Sequence, residues 1–208
     1  PYAKGFHNKD EYMKFIEEFS FPVIVKPVDS AGSKGVARVD NKENLGEAIE
    51  YALSYSHSQR YIIEEFIEKE GCSSDSDCFS IDNQLVCASF SCQYFDANAA
   101  NPYTPSAYSW PSDMPINKVN ELRNELQRLI SLLNLGTSIY NVETRLGKDG
   151  KVYIMEVTPR GGGNRLSELI KYASGEDLIA NCVKASVGLP LDALHDPVYK
   201  GIWAEYII

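Results

Sequence analysis

The stretch NVETRLGKDGKVYIMEVTPRGGG, residues 141–163, contains two strand-like segments around a strong turn signal. Asp149 and Gly150 favour a two-residue turn, because glycine tolerates the positive φ that a type I′ turn requires. With these two residues in the turn, Lys148 pairs with Lys151 and the flanking segments continue as antiparallel strands. The stretch therefore predicts a β-hairpin with a defined register.

That register places Glu143 directly opposite Glu156, with Cβ atoms about 5 Å apart. Like charges at such positions repel, so a bound cation, an arginine or a shared proton should compensate them. A carboxylate pair with few other protein ligands suits Mg²⁺. The alternative is a solvent-facing strand whose charges Arg145 neutralises. The same register predicts two more cross-strand pairs on this face, Arg145 with Ile154 and Asn141 with Thr158. The predicted core-facing positions are Tyr140, Val142, Thr144, Leu146, Tyr153, Met155 and Val157.

The segment after this hairpin favours a charged ligand. Pro159 and the glycines at 161–163 end the strand, leave backbone N–H groups free and permit close approach of a ligand. Arg160 can bind an oxyanion there through two parallel hydrogen bonds. A flexible linker into the next helix is the alternative, and the neighbouring acid pair makes it the weaker one.

A second candidate site lies near the start of the chain. Lys26 ends the apolar strand Phe21–Pro27, and a lysine on a buried strand is costly unless an anion meets it. The loop Gly32–Gly35 can turn its amides toward phosphates, although the Walker A and dinucleotide-binding patterns are both absent. A surface lysine whose stem covers apolar residues explains Lys26 about as well. The segment Tyr61–Ile67, taken alone, is typical of an edge strand with protective charges.

Apolar periodicity predicts the remaining elements. The predicted helices are Asp10–Phe19, Asn41–Ser56, Asn117–Asn134, Leu166–Ala173 and Glu176–Val187. Further predicted strands are Val36–Val39, Ser76–Ile81, Gln84–Tyr94 and Tyr199–Ile208, with Asp82 and Asn83 forming a tight turn. Residues 1–8 and Asp96–Asp113 are predicted loops. The second loop carries Tyr103, Tyr108 and Trp110 and is a candidate substrate lid, with an ordinary surface loop as the alternative.

The composition is that of a globular protein, with 44% hydrophobic and 24% charged residues among 208. The net charge of −9 disfavours nucleic acid and anionic membranes as partners. The longest apolar runs are too short to cross a bilayer. The five cysteines form no CxxC pair and lie near no histidine at zinc-ligand spacing, which predicts reduced thiols in a cytoplasmic protein. The abrupt first and last segments predict a piece of a longer protein.

Taken in order, FPVIVKP (21–27), IIEEFI (62–67) and the hairpin stretch (141–163) resemble the ATP-grasp superfamily, over nearly the whole chain. The resemblance implies an α/β (α+β) fold of two lobes, with a mostly antiparallel sheet in the larger lobe and ATP held between the lobes. The small lobe would span residues 1–66 and the larger lobe 67–208, and a preceding N-terminal domain would be missing. PVDSAGSKGV (27–36) and EVTPRGGGN (156–164) resemble L-amino-acid ligases and carbamoyl-phosphate synthetase-like proteins more than biotin carboxylases.

The resemblance also implies roles at the matching positions. The implied nucleotide-binding residues are Lys26, Ser33, Gly35, Glu64, Glu65, Phe66, Ile67 and Glu70. The implied ligands of one or two Mg²⁺ ions, or of Mn²⁺, are Glu143, Glu156 and Thr158. The implied catalytic residues are Arg160 and Lys26, which would position the transferred phosphate. Thr158 stands where the family commonly has asparagine, so either Thr158 or its cross-strand partner Asn141 would complete the metal site. Glu70 is the nearest candidate for the ribose-binding acid, although the following CSSDSD stretch blurs that match.

The implied reaction joins a carboxylate to an amine, or to another nucleophile, through an acyl phosphate, and it uses ATP and magnesium. The implied partners are ATP, a small carboxylate and an amine, with a homodimer formed through the missing domains. Two alternatives stay open. One is a non-catalytic nucleotide-binding module in which Thr158 marks loss of the metal site. The other is a phosphotransferase that stops at a phosphorylated product.

Overall fold

The computed structural model describes residues 1–207, and Ile208 lies outside the described part. The chain forms two compact units. Unit 1 comprises Pro1–Glu68 and Asp96–Thr104, and unit 2 comprises Lys69–Phe95 and the residues from Pro105 onward. Residues 96–104 thus pack within the first unit, although they follow the predicted boundary at residue 66.

A four-stranded antiparallel sheet forms the centre of unit 1. Its strands are β1 (Ala3–Phe6), β2 (Val23–Pro27), β3 (Ala37–Val39) and β4 (Tyr61–Glu65), in the order β1-β4-β2-β3. Helix α1 (Leu45–Ser54) packs on this sheet through Leu45, Ala48, Ile49 and Ala52, the apolar stripe that its spacing predicts. The predicted strands at β2, β3 and β4 and the predicted helix at α1 are confirmed. Strand β4 is, however, an inner strand between β1 and β2 and not the edge strand that its charges suggest.

The N-terminal segment differs from its prediction. Residues 1–8 contain strand β1, which pairs with β4, instead of a loop. The predicted helix Asp10–Phe19 is two short 3₁₀ segments, Glu11–Lys14 and Ile16–Glu18. The side chain of Asp10 forms no capping hydrogen bond, and the helical geometry breaks at Phe15. Tyr12, Phe15, Ile16 and Phe19 still pack in the core, whereas Met13 is exposed. The periodicity thus identified most of the buried side chains and misjudged the backbone.

Unit 2 contains two antiparallel sheets. Strands β5 (Ser74–Ile81), β6 (Gln84–Ala88), β9 (Ser138–Leu146) and β10 (Val152–Thr158) form the first, in the order β10-β9-β5-β6. Strands β7 (Cys92–Phe95), β8 (Pro105–Trp110) and β11 (Trp203–Tyr206) form the second, in the order β11-β8-β7. The turn predicted at Asp82 and Asn83 is confirmed, because both residues have the positive φ of a type I′ turn.

Three helices cover the first of these sheets on its two faces. Helix α2 (Ile116–Leu133) buries Leu122, Leu126 and Ile130 against the face that carries Tyr140 and Val142. Helices α3 (Leu166–Ser174) and α4 (Leu178–Ser186) pack against the opposite face, which carries Phe79 and Ile139. All three helices were predicted to within two residues at each end. Within residues 1–207, no helix has the length and apolar character needed to cross a membrane.

Two further segments of unit 2 correct the predictions. The strand predicted over Gln84–Tyr94 is divided between β6 and β7, which belong to different sheets. The predicted loop Asp96–Asp113 contains strand β8, in which Tyr108 and Trp110 are 2% and 1% exposed. These two rings are therefore core residues and not parts of a lid. Of the strand predicted over Tyr199–Ile208, only Trp203–Tyr206 form β11, which pairs with β8, and Ile208 lies outside the described residues.

The turn between β9 and β10 is longer than predicted. Its loop has three residues, 148–150, because the Gly147 N–H donates to the Lys151 carbonyl oxygen at 2.9 Å. Gly150 adopts a φ of 75°, so glycine is required there, but Lys148 does not face Lys151. The longer loop shifts the register next to the turn by one residue.

A β-bulge between Ile154 and Glu156 then reverses this shift. Glu156 consequently faces Glu143, and Thr158 faces Asn141, as predicted. The predicted pairing of Arg145 with Ile154 is wrong, because Arg145 faces Tyr153. Ile154 instead faces Thr144 and packs with the apolar core, together with Val152 and Val157.

Candidate functional site

The acid pair of the hairpin belongs to a larger polar array on three neighbouring strands. Strand β5 pairs with β9 so that Asp75 lies opposite Glu143 and Asp77 opposite Asn141. One row across the sheet therefore reads Asp75, Glu143 and Glu156, and the next row reads Asp77, Asn141 and Thr158. Because side chains two residues apart share a face, all six point to the same side of the sheet.

Asp75 and Asp77 are buried and joined by an amide. Their residues are 7% and 0% exposed. The Asn141 Nδ2 donates to Asp75 Oδ1 at 2.6 Å and to Asp77 Oδ1 at 3.2 Å. The Tyr108 hydroxyl donates to Asp75 Oδ2 at 3.2 Å. Because Nδ2 makes both contacts, Oδ1 is the atom of Asn141 that is left to serve as a metal donor.

Burial determines how these two carboxyls titrate. The loss of water contact raises the pKa of both Asp75 and Asp77 above the ordinary value. Their hydrogen-bond donors and the positive charge of Arg160 act in the opposite direction. The site thus holds two acids whose charge a further cation would stabilise.

Asp77 also holds the glycine-rich loop that follows β10. Its Oδ1 accepts the backbone N–H of Gly162 at 2.7 Å, and its Oδ2 accepts the hydroxyl of Ser167. A Cβ atom on Gly162 would lie 2.4 Å from Leu166 Cδ1 and 2.7 Å from Asn141 Nδ2, so no larger residue fits without movement. Gly162 is therefore needed for close packing against Leu166 and Asn141, and its N–H binds Asp77 instead of being free for a ligand as predicted.

Arg160, predicted to be catalytic, lies at the exposed start of this loop. Its Nη1 donates to the carbonyl oxygen of Gly161 at 2.8 Å. Its charge reaches both buried aspartates. The structure thus places a cation beside the acid array, with an exposed side chain that is accessible to an anionic ligand.

The predicted metal ligands form an all-oxygen donor set. Glu156 is exposed and Glu143 is half-buried, and the Thr158 hydroxyl donates to Glu156 Oε1 at 3.3 Å. Carboxylate, hydroxyl and amide oxygens are donors that Mg²⁺ and Mn²⁺ accept. The residues present therefore fit such an ion. Asp75 adds a carboxylate in the same row, so Thr158 and Asn141 are not the only supplements to the acid pair.

In unit 1, the predicted phosphate-binding lysine forms an ion pair. Lys26 Nζ lies 2.8 Å from Glu64 Oε2, and both side chains are about a quarter exposed. The pair explains how a lysine is tolerated on this strand, because Glu64 supplies the anion that burial requires. Two of the predicted nucleotide-binding residues thus lie together.

The other residues of the predicted hinge have structural contacts. The Glu65 carboxylate accepts the backbone N–H of Tyr2 at 2.8 Å and that of Ser20 at 3.0 Å. Burial acts to raise the Glu65 pKa, but these hydrogen bonds outweigh it and the pKa lies below the ordinary value. The Phe66 N–H donates to the Pro22 carbonyl oxygen, and the Phe66 ring lies under the guanidinium of Arg38 at 4.4 Å. Ile67 is half-buried and follows directly.

The predicted phosphate loop is held by the segment that unit 1 gains from later in the chain. The Ser33 hydroxyl donates to the Tyr103 carbonyl oxygen at 3.0 Å, and the Asn101 Nδ2 donates to the Ser33 carbonyl oxygen at 3.2 Å. Gly35 has a φ of 76°, and a Cβ there would lie 3.0 Å from Tyr55 Cβ. Both predicted loop residues thus occupy positions that the surrounding packing constrains.

Glu70, the predicted ribose-binding acid, lies in unit 2 with an exposed side chain. Its backbone N–H donates to the Leu146 carbonyl oxygen at 2.8 Å. The structure gives this carboxylate no link to the acid array. Its assignment stays a prediction.

Asp75 and Asp77 were not predicted as site residues. The predicted strand began at Ser76, so it contained Asp77 and left Asp75 outside. Serine and aspartate are depleted in strands, so no propensity signal marked the first residues of β5. The alternation of the two aspartates, two residues apart, was the available signal, since it places both carboxylates on one face.

Fold and site together define a two-unit α/β protein, with a lysine strand and glycine loop in one unit and an oxygen-rich acid array in the other. The family model of the ATP-grasp domain matches residues 19–168. The chain therefore belongs to the ATP-grasp family. The predicted resemblance and the predicted fold class are both confirmed.

Individual relatives agree with this membership. The chain is 30% identical to a D-alanine–D-alanine ligase of Acetivibrio thermocellus over 161 residues, which are 74% of this chain and 41% of the relative. An L-amino acid ligase of Bacillus licheniformis superposes with a TM-score of 0.75 at 23% identity, over 100% of this chain and 49% of that one. A phosphoribosylamine–glycine ligase of Thermotoga maritima gives a TM-score of 0.75 at 18% identity, over 99% and 54%. The chain spans about half the length of these relatives.

Proposed function

We propose that the protein uses ATP to join a small carboxylate to an amine through an acyl phosphate, with Mg²⁺ as its metal. The observation that carries the proposal is the opposition of Glu143 and Glu156 in a chain of the ATP-grasp family. The two carboxylates repel each other unless a cation lies between or beside them. Relatives named as D-alanine–D-alanine ligase and L-amino acid ligase support the carboxylate–amine class.

In this proposal the metal ligands are Glu143 and Glu156, with Thr158, Asn141 Oδ1 or Asp75 as supplements. Bound Mg²⁺ would supply neutralisation of the negative charge on phosphate oxygens. Two acids without their cation are a poor site for an anion, so we expect ATP and metal to bind together.

The basic residues would position the phosphates. Lys26 would exchange its partner Glu64 for phosphate oxygens, and Ser33 and Gly35 would present backbone N–H groups to them. Arg160 would bind the oxygens of the transferred phosphate, held in place by the loop that Asp77 anchors. A substrate carboxylate oxygen would attack the γ-phosphorus and ADP would leave. The amine would then attack the acyl carbon, release phosphate and lose a proton.

The metal site is tested by nucleotide binding. We expect titration calorimetry with a non-hydrolysable ATP analogue to show at least tenfold weaker binding for Glu156→Gln in the presence of Mg²⁺, and little difference without it. Glu121→Gln is the matched control, because Glu121 is an exposed helix residue of the same unit and forms an ion pair with Lys118. Magnesium-dependent affinity that survives Glu156→Gln would favour the non-catalytic module.

The reaction is tested on the intact protein by measuring phosphate release with ATP and a panel of amino acids and other carboxylates. We expect release to require both a carboxylate and an amine, with an amide product detected by mass spectrometry. ADP formation without an amide would identify a phosphotransferase. Absence of stimulation by every acceptor pair would contradict the ligase proposal. The expected cytoplasmic location, the homodimer and the role of Glu70 remain predictions.

A further inference from the structure

A second group of metal-binding side chains lies in unit 2, apart from the acid array. Cys72, Cys92 and Asp113 come from three positions about twenty residues apart in the sequence. Their sulfur and carboxylate oxygen atoms all lie within 4.8 Å of one another. Nothing in the proposed ligase reaction uses any of the three.

Backbone pairing brings these residues together. Ser73 and Gln93 form an isolated antiparallel bridge, so Cys72 and Cys92 are diagonal neighbours on one face of it. Cys92 begins β7, which pairs with β8, and Asp113 follows the end of β8. The arrangement therefore depends on sheet geometry and not on a flexible surface loop alone.

Asp113 binds the Cys92 sulfur through two of its groups. The Cys92 thiol donates to Asp113 Oδ1 at 3.1 Å, and the Asp113 backbone N–H donates to the Cys92 Sγ at 3.2 Å. The thiol proton of the first bond lies between Cys92 Sγ and Asp113 Oδ1, which is the position that a cation bound to both atoms would take. The second bond would persist beside a bound metal and stabilise the thiolate.

We propose that Cys72, Cys92 and Asp113 bind a thiophilic divalent cation of the zinc type, at a site separate from the oxygen-donor array. Zn²⁺ accepts thiolate and carboxylate ligands in a tetrahedron, whose edges are about 3.8 Å for metal–sulfur bonds of about 2.3 Å. The Cys92 sulfur lies 3.1 Å from Asp113 Oδ1, and all three donor atoms lie within 4.8 Å of one another, so side-chain adjustment can bring them to those edges. Mg²⁺ is excluded from this set, because it takes oxygen ligands.

The surroundings permit loading and leave room for a fourth ligand. Cys92 is buried, whereas Cys72 is half-buried and Asp113 is exposed, so the ion would enter from the Asp113 side. Three protein ligands leave one tetrahedral position for water or another small ligand. The ion would tie the start of β5, the start of β7 and the end of β8 to one point.

The test uses the whole chain in its reduced form and Co²⁺ as a spectroscopic probe, followed by Zn²⁺ competition against a chromophoric chelator. We expect one equivalent of metal, thiolate-to-cobalt charge-transfer absorption, and d–d bands of tetrahedral intensity. Cys72→Ser should weaken binding at least 100-fold and Asp113→Asn about tenfold. Cys182→Ser, at a half-buried cysteine elsewhere in unit 2, should have no effect.

Several results would overturn the proposal. Cys92 is buried and its replacement can disturb folding, so the decision rests on Cys72→Ser and Asp113→Asn, checked by thermal melting. Binding that is absent, or unchanged in both of these variants, would exclude the site. If Glu156→Gln abolished binding, the metal would be assigned to the oxygen-donor array and not to the cysteine site. A Cys72–Cys92 disulfide that forms in air and prevents metal uptake even after mild reduction would identify a redox pair instead.

Discussion

Replacement of Asp77 by alanine should destabilise unit 2 by about 4 kcal/mol. The change removes the acceptor for the Gly162 N–H, the Asn141 amide and the Ser167 hydroxyl. The hydroxyl can rotate to another partner. The half-buried Gly162 N–H loses its acceptor, and the Asn141 amide nitrogen keeps only its bond to Asp75, at about 1–3 kcal/mol for each lost bond. A cavity at a position that is 0% exposed adds to this cost.

Asp77→Asn serves as the conservative variant and should cost about 1–2 kcal/mol at pH 7. Its amide oxygen keeps the Gly162 bond, whereas its amide nitrogen opposes the nitrogen of Asn141. The variant also avoids burying a charge. Because burial raises the pKa of Asp77, its stabilising contribution is greatest below the unfolded-state pKa of about 3.9 and decreases as the pH rises through the folded pKa. The deficit of Asp77→Asn should therefore be larger at pH 5 than at pH 7.5.

Urea unfolding followed by tryptophan fluorescence is the appropriate assay. Trp110 and Trp203 are the two tryptophans of the chain, and both lie in unit 2, so the signal reports on that unit. Ser167→Ala, which removes one of the three donors, gives the single-bond reference, and the double variant Asp77→Ala/Ser167→Ala measures their coupling. A loss below about 1 kcal/mol for Asp77→Ala, or equal losses for the alanine and asparagine variants, would refute the reasoning.

Three further perturbations test other contacts in the two units. Gly162→Ala should lower the free energy of unfolding by about 2 kcal/mol through overpacking. Gly163→Ala, with no atom within 4 Å of its added Cβ, should change that free energy by less than about 0.5 kcal/mol. Equal urea midpoints for the two variants would contradict this. The pKa of Asp29 is about 2, lowered by the Ser56 hydroxyl that donates to it, so its stabilisation is present above about pH 4 and lost as the pH falls toward 2. Hydrogen exchange of the unit 1 sheet measures this effect. As the pH falls from about 4 toward 2, the Asp29→Asn variant should lose less protection than the unmodified protein. Asp10→Asn is the control and should lose as much as the unmodified protein. Lys26→Met should weaken ATP binding about 10–100-fold, yet alter stability by under about 1 kcal/mol because its ion pair is partly exposed; unchanged affinity in calorimetry would remove Lys26 from the phosphate site.

The fold was predictable where local pattern and tertiary packing agree. The apolar stripes of α1 and α2 face the cores as their spacing predicts. The strands flanking the hairpin turn were also found from their composition. These segments bury one continuous apolar face, so periodicity alone identifies them.

The errors occurred where polar residues are buried. Strand β5 reads Ser-Asp-Ser-Asp over 74–77, and its burial depends on donors from distant positions such as Asn141 and Tyr108. No local window contains those partners. Strand β1 was missed for a similar reason, because its pairing partner β4 lies almost sixty residues later.

The candidate metal site was predicted through two compensating errors. The turn has one more residue than the type I′ interpretation allows, and the bulge before Glu156 removes the resulting shift. Turn chemistry did not indicate the three-residue loop, and the sequence carries no distinct signal for the bulge at Met155. The opposition of Glu143 and Glu156 thus depends on loop and bulge together, and a one-residue deletion in either would separate the two acids.

Because residues 96–104 pack in unit 1, that unit is completed late in the synthesis of the chain. The ribosome completes all four strands of the first sheet by residue 65, but Ser33 lacks its partners Asn101 and Tyr103 until some forty residues later. The predicted phosphate loop of the nascent chain therefore lacks these contacts while β5, β6 and β7 emerge. Unit 1 is not a contiguous gene segment, and a truncation after residue 68 would produce its sheet without a properly held loop.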